Sequence, residues 1–345
     1  MSKPIDDQDR AKLAVLLSLL NDSDQPNANA LNELVRNINV LSLNIKALGY
    51  DLAARMAAAL PPPVDTQPRH VGLTTRLSTQ ADIESDWIAH WCGQLQVPVV
   101  YHRKLWELAY VLQTMFENDL IREGARGLGF GCGAEPVPAY LASRGVSVTV
   151  TDLPAQDAAS RGWTETGQHV SSREQAYRAN LVTRDQFDAR VDFRAVDMTA
   201  IPADLTDYDF CWSICALEHL GSIEAGLSFI ENSLATLRPG GISVHTTEFN
   251  IDSTGRTVDN WATVLFQERH LRALARRLEA KGHSMTPIEL DLGNGMLDRF
   301  VDLPPYSHDL PAGMANWIGN PAHLKVAVDG FVATCVGLIV RKGPA

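Results

Sequence analysis

Apolar residues change their spacing along the chain, and the change separates two kinds of structure. Between Ala28 and Leu60, Leu31, Leu34, Ile38, Leu41, Ile45, Leu48 and Leu52 recur at intervals of 3, 4, 3, 4, 3 and 4. That alternation draws one apolar seam along a helix, as in a coiled coil. Pro61, Pro62 and Pro63 end it, because proline cannot donate the amide that continues a helix. The seam has two readings. It packs on a first helix, Gln8 to Leu20, and on the main domain, or it pairs with a second copy to make a homodimer. Gly49 weakens the long-coil version, since glycine costs about 1 kcal/mol inside a helix. Residues 61–80 are rich in proline and threonine and read as a linker. Helices are predicted over 81–92 and over 102–120, the second with Leu105, Leu108, Ala109, Leu112, Met115 and Phe116 on one face.

From Gly124 onward, short apolar runs alternate with amphipathic stretches. Strands are predicted at 127–130, 146–151, 191–195, 208–213, 242–246, 288–292 and 331–341. Helical patterns separate most of them, which argues for an α/β fold with a parallel sheet covered on both faces. The organisation is then 1–60 for N-terminal helices with the seam, 61–120 for a linker and helical lid, and 121–345 for the sheet domain.

Composition adds exclusions. With 41 acidic and 30 basic residues among 345, the formal net charge is −11. Such a chain is a poor holder of nucleic acid, which is bound by neutralising phosphates. The same charge leans toward a neutral or cationic small-molecule ligand. No run approaches the roughly 18 apolar residues of a membrane span. Met1 to Asp9 has three aspartates and no apolar core, unlike a secretory leader. Five cysteines without a paired CxxC spacing make neither a disulfide framework nor a zinc knuckle, and fit a cytoplasmic protein. Cys211 and Cys215 read as buried thiols.

The first strand of the alternating region runs into Gly129-Phe130-Gly131-Cys132-Gly133-Ala134-Glu135. Its glycines permit a tight turn and close approach of a ligand to the backbone. Asp152 ends the next strand, 21 residues after Gly131, where a carboxylate can accept from both hydroxyls of a ribose. Asp197-Met198 ends the third strand, where it can accept from an adenine amino group and lie beside the ring. Leu237-Arg238-Pro239-Gly240-Gly241 turns the chain into the fifth strand.

In this order, GFGCGAE at 129–135, Asp152, Asp197, SICALEH at 213–219 and LRPGG at 237–241 resemble the class I S-adenosylmethionine-dependent methyltransferases. The resemblance covers about residues 122–345. It implies a Rossmann-like, seven-stranded, mostly parallel sheet whose last strand is antiparallel. It also implies S-adenosylmethionine as cofactor. Gly129, Gly131 and Gly133 would carry its methionine part, Asp152 its ribose, and Asp197 and Met198 its adenine. Ser213 to Cys215 would sit near the sulfonium. The family often has an acidic residue two positions before the second loop glycine. Gly129 stands there, and Glu135 is the candidate to hold the cofactor ammonium instead. A helix before the first strand often closes over the cofactor, which makes Tyr101, His102, Lys104 and Trp106 candidates. A nicotinamide site would need a third glycine where Pro136 stands.

Methyl transfer to a hydroxyl needs an in-line acceptor and often a base. Two strand ends offer one: Glu218-His219, and His245-Thr246-Thr247-Glu248-Phe249-Asn250. His219, His245 and Glu248 are the catalytic candidates. Together with Glu218 they offer a loose set of ligands for Mg²⁺, which prefers oxygen, so a metal is not favoured. Trp163, Tyr306 and His308 lie in insertions that commonly shape an acceptor pocket, with His323 following. The expected reaction is O-methylation of a sugar, a glycan precursor or another polar metabolite. Transfer to nitrogen or carbon, or a scaffold that keeps the fold and assembles through its N-terminal helix, are the alternatives.

Overall fold

The computed structural model describes residues 10–11, 28–62, 67–132, 134–154, 171–306 and 309–344. It divides into two compact units, Met1–Asp51 with Leu303–Asn320, and Leu52–Asp302 with Pro321–Ala345.

In the first unit, helix α1 (Ala28–Ala59, continuing into the second unit) turns the expected amphipathicity inside out. Ile38, Leu41, Ile45 and Leu48 of the seam are exposed, Leu48 at 76%. The side chains of Leu31 and Leu34 lie outside the described ones. The buried stripe is Ser42, Lys46, Gly49 and Tyr50. Ser42 Oγ donates to the Pro304 carbonyl at 3.1 Å. The Lys46 ammonium donates to Tyr50 OH at 3.3 Å and lies 5.1 Å from the Tyr306 ring centroid, so its charge is met by aromatic faces. A short helix of the same unit, Ala312–Ile318, leaves Trp317 73% exposed. The first expected helix, Gln8 to Leu20, falls almost wholly outside the described residues.

The second unit is built on a sheet of eleven strands among the described residues: β1 (Thr75–Leu77), β2 (Arg126–Gly129), β3 (Ser147–Asp152), β4 (Val191–Ala195), β5 (Tyr208–Ile214), β6 (Leu237–Asn250), β7 (Ser284–Met285), β8 (Ile288–Glu289), β9 (Val301–Asp302), β10 (Lys325–Val328) and β11 (Phe331–Arg341). The order is β4-β3-β2-β5-β6-β11-β1-β8, with β7, β9 and β10 alongside. Strands β2 to β6 are mutually parallel, and β11 runs antiparallel to β6. The expected sheet of seven strands is therefore enlarged by four.

Two differences from the sequence reading have local causes. The supposed linker supplies β1, whose Arg76 and Leu77 pair with Gly337 and Val336 of β11. A strand of three residues is too short to show alternation. Strand β6 is 14 residues rather than five, because the Pro-Gly-Gly turn is a bulge inside it. Tyr208 pairs with Leu237 and Phe210 already with Ile242. The bulge lets pairing resume, and the strand then carries its polar residues inside the sheet.

Helices cover both faces. Helix α2 (Gln80–Ile83) and helix α3 (Asp86–Leu95) lead to α4 (Arg103–Glu117), which packs on β5, β6 and β11. His102 starts α4, its Nδ1 accepting from the Lys104 amide at 3.0 Å. Helix α5 (Val137–Ser143) packs on β3 and β4. Helix α6 (Arg184–Arg190) precedes β4 behind a Thr183/Gln186 capping box. On the other face, α7 (Ile223–Ser233) and α8 (Glu268–Ala280) bury Leu227, Phe229, Ile230, Leu271, Leu274 and Leu278 against Leu128, Phe130 and Leu338. Period-2 alternation then sorts β6. His245 meets Phe229 of α7, and Thr246 meets Glu107 of α4. No helix among the described residues is long and apolar enough to cross a membrane.

Candidate active site

The carboxyl ends of β2, β3, β4 and β5 lie side by side, the place where open α/β sheets bind ligands. The glycine loop is fastened there. Phe130 N donates to the Trp212 carbonyl at 2.8 Å, and Cys132 N to the Thr151 carbonyl at 3.1 Å. Gly131 has φ +56°, and a Cβ on it would stand 2.9 Å from Ala216 Cβ and 3.3 Å from Met198 Sδ. The loop, the end of β4 and the end of β5 thus converge on one glycine, and a side chain there would collide. Gly133 lies outside the described residues, as does Trp163.

At Gly129 the missing acidic residue has a physical explanation. A Cβ there would run into Cys132 Sγ and stand 2.5 Å from the Trp212 ring. The indole fills the space, and its Nε1 donates to Glu135 Oε1 at 2.8 Å. Burial pushes the Glu135 carboxyl up to about 8, against the Trp212 hydrogen bond and the Lys104 charge. A cation placed beside this carboxyl would lower its pKa again and restore its charge. Asp152 ends β3, with Oδ1 accepting from the Leu153 amide at 2.8 Å. Asp197 Oδ1 accepts from Thr199 N and Oγ1 at 2.8 and 2.7 Å, so this aspartate also closes a turn. Met198, the next residue, is buried. These residues fit a nucleotide-like cofactor: a glycine the ligand can approach, a carboxylate at each of two strand ends, and a thioether beside them.

Three expected site residues are placed elsewhere. Ser213 and His245 are partners across β5 and β6, both wholly buried. His245 Nδ1 lies 2.8 Å from Ser213 Oγ, and Nε2 lies 2.5 Å from Ser243 Oγ. Burial lowers the His245 pKa to about 3. With both nitrogens engaged by hydroxyls in the core, His245 is a packing residue and neither a base nor a Mg²⁺ ligand. The side chain of Ser213 is turned away with it. His219 stands at the rim, where Nδ1 lies 3.0 Å from the Ala262 carbonyl. A carbonyl only accepts, so Nδ1 donates here, while Nε2 lies 4.0 Å from Glu218 Oε1.

The remaining candidates belong to a buried polar cluster. Cys215 follows β5 with φ +46°, a left-handed conformation that costs a non-glycine residue about 1 kcal/mol or more. Its amide donates to the Thr246 carbonyl at 3.0 Å. Cys215 Sγ and carboxylate oxygens of Glu218 and Glu248 lie within 4.8 Å of one another, as do ligand atoms of Cys215, Glu107 and Cys335. Two cations enter from the start of α4. Arg103 pairs with Glu248, and Lys104 reaches Glu107 at 3.4 Å. Thr246 Oγ1 donates to Glu107 at 3.2 Å, and Thr247 Oγ1 to Glu218 at 3.0 Å. Burial works against the Lys104 ammonium, but Cys215, Glu107 and Glu218 outweigh it and hold its pKa above the usual value.

Arg103, Glu107 and Cys335 escape a sequence reading that looks to strand ends. The available signal was one charge on the apolar face of a helix: Glu107 lies between Leu105 and Ala109 in the buried part of α4. Trp106, a lid candidate, is core, with Nε1 donating to Asp82 at 2.8 Å and its ring stacked on Tyr110. Tyr101 is likewise fixed, its OH donating to Glu84 at 2.8 Å. His308 lies outside the described residues.

No family model matches the sequence, and no curated protein matches it. Solved structures similar to it include a protein assigned as a sarcosine dimethylglycine methyltransferase from Galdieria sulphuraria, 15% identical over 75% of this chain and 99% of the other, with TM-score 0.43. A SAM-dependent methyltransferase from Methanosarcina mazei is 14% identical over 67% and 98%, with TM-score 0.38. The 1,6-didemethyltoxoflavin-N1-methyltransferase of Burkholderia thailandensis is 20% identical over 67% and 76%, with TM-score 0.36. The sheet itself is Rossmann-like and mostly parallel, with β2 to β6 in one direction and β11 antiparallel to β6.

Proposed function

We propose that the protein is an S-adenosylmethionine-dependent methyltransferase acting on a small polar acceptor. The observation that carries this is the meeting of Gly131, Met198 and Ala216 at the ends of β2, β4 and β5, with Asp152 one strand away. In this reading the backbone at Gly129 and Gly131 accommodates the methionine part and Glu135 its ammonium. Asp152 accepts from the ribose, Asp197 and Met198 flank the adenine, and the backbone from Ser213 to Cys215 lies under the sulfonium. The cofactor supplies an electrophilic methyl group. The chain's part is to hold the acceptor in line, keep water out and take a proton.

Glu218 and Glu248 are the proton acceptors in this scheme, with His219 Nε2 beside Glu218 as the route to solvent. They can serve an O–H acceptor, the sugar or glycan precursor expected from the sequence, or an N–H acceptor. Five free cysteines support a reducing, cytoplasmic setting. The exposed seam of α1, on a heptad spacing, supports a homodimer through that helix.

Calorimetry with S-adenosylhomocysteine tests the proposal. Saturable binding at one site per chain is expected, and absence of binding to the folded protein overturns it.

A further inference from the structure

We infer that the acceptor is a cationic amine and that Glu107, Glu218 and Glu248 receive its ammonium group. The inference rests on the methyltransferase reading and narrows its substrate class.

The first argument is an imbalance of hydrogen bonds. Glu107 Oε1, Glu218 Oε1 and Glu248 Oε2 are buried and have no hydrogen-bond partner. In the same cluster Arg103 Nε is the one unpartnered buried donor. Native proteins rarely leave such groups unpaired, so these oxygens call for donors, supplied by water in the resting site and by a ligand that displaces it. Three acceptors against one donor select a ligand rich in N–H. A primary ammonium offers three donors and no acceptor.

The second argument is charge. The three carboxylates face Arg103 and Lys104 and, with the neighbouring His219 neutral, leave one formal negative charge among buried carboxylates. A neutral polyol would satisfy hydrogen bonds and leave that charge unmet, which is costly away from water. A monocation closes the balance. A divalent metal fits less well. It would lie beside two fixed cations and draw on the Cys215 thiolate, with Glu218 and Glu248 or with Glu107 and Cys335, and burial raises the pKa of both thiols.

The chemistry then closes. The bound ammonium gives one proton to a carboxylate, Glu218 or Glu248, which exposes the nitrogen lone pair. Nitrogen bonds to the methyl carbon as the carbon–sulfur bond breaks, its electron pair staying on sulfur. The product is a methylated ammonium and a neutral thioether, and the carboxylic acid returns its proton to solvent.

The test uses the full chain saturated with S-adenosylhomocysteine, titrated with ¹³C-methylammonium chloride or ¹³C-methanol and followed by NMR. Saturable binding of methylammonium is expected, with none for methanol at equal concentration. Glu218→Gln and Glu248→Gln should each weaken methylammonium by about tenfold or more, the loss of one charge-assisted hydrogen bond. Equal binding of the two probes, or no saturable binding of methylammonium to the wild type, overturns the inference. So does stoichiometric Zn²⁺ binding that methylammonium fails to displace. Titration with S-adenosylhomocysteine comes first on the same sample. Its failure sinks the methyltransferase reading, whereas its success followed by failure of the amine sinks only the acceptor class. The wild-type comparison carries the test where a variant does not fold.

Discussion

Helix α1 and the strand ends of the second unit invert the usual rule in opposite directions. The helix turns Ile38, Leu41, Ile45 and Leu48 to water and buries Ser42 and Lys46. The sheet unit buries Arg103, Glu107, Glu218 and Glu248 in part or whole, though it has ample apolar core elsewhere. Exposed leucines cost little, because folded surfaces always keep much apolar area. Buried charges cost a great deal unless paired. The two anomalies therefore differ in what they demand. The seam tolerates lacking a partner; the cluster needs its internal pairs and is completed by a ligand.

The largest effect should come from breaking that internal pairing. Arg103→Met leaves Glu248 buried without its counter-charge. The expected loss is about 3–5 kcal/mol of folding stability, read by urea unfolding. A loss under about 1 kcal/mol would mean that Glu248 finds water or a proton instead, and the contrast with α1 would collapse.

Next comes the cofactor side. Asp152→Ala removes a carboxylate proposed to hold two ribose hydroxyls, each charge-assisted bond being worth about 1.5–3 kcal/mol. Affinity for S-adenosylhomocysteine should fall by about a hundredfold or more in calorimetry. An unchanged affinity would reduce Asp152 to the turn residue that its bond to the Leu153 amide already makes it.

The sheet around this candidate site was legible and the direction of several side chains was not, for reasons that residues make plain. The glycine loop, Asp152 and Asp197 stand beside short apolar runs with distinct ends, and β2 to β5 fall within a residue of their predicted bounds. The direction of His245 was misread because a polar run after an apolar strand looks like a strand end. The run continues β6, so alternate residues face α7 and α4. Ser213, Ser243 and His245 could have been matched as a polar set on one face, but pairing β5 with β6 requires the register that the bulge sets. Glu107 was hidden in an apolar helix pattern, which tolerates one charge without losing its period.

Acid and base should pull the fold in opposite directions through two buried groups. His245, lowered from 6.5 to about 3, stays neutral in the folded state while its unfolded counterpart gains a proton. Its contribution is present above pH 6.5 and is lost as pH falls toward 3, at about 1.4 kcal/mol per pH unit. Glu135, raised from 4.5 to about 8, holds a proton when folded and loses it when unfolded. Its contribution is present below pH 4.5 and declines as pH rises toward 8 with the same limiting slope. A cofactor ammonium at Glu135 would favour its ionised form, so binding near pH 7 should release a fraction of a proton. Calorimetry in buffers of different ionisation enthalpy measures that fraction. Proton uptake, or no proton change, would remove Glu135 from the ammonium site.

The smallest change in folding stability belongs to the seam. Leu41→Lys and Leu48→Lys place charges where side chains are already exposed, so each should alter stability by no more than about 0.5 kcal/mol. Their effect should appear in assembly. If the seam joins two copies, both substitutions together put like charges against each other across the contact, and light scattering should read a monomer where the parent chain is a dimer. A parent chain that is already monomeric denies the seam a second copy. A dimer that survives the double substitution places the contact elsewhere. A large loss of stability in the monomer would mean that the seam is buried within its own chain, and then only the charged cluster of the sheet unit would still invert the rule.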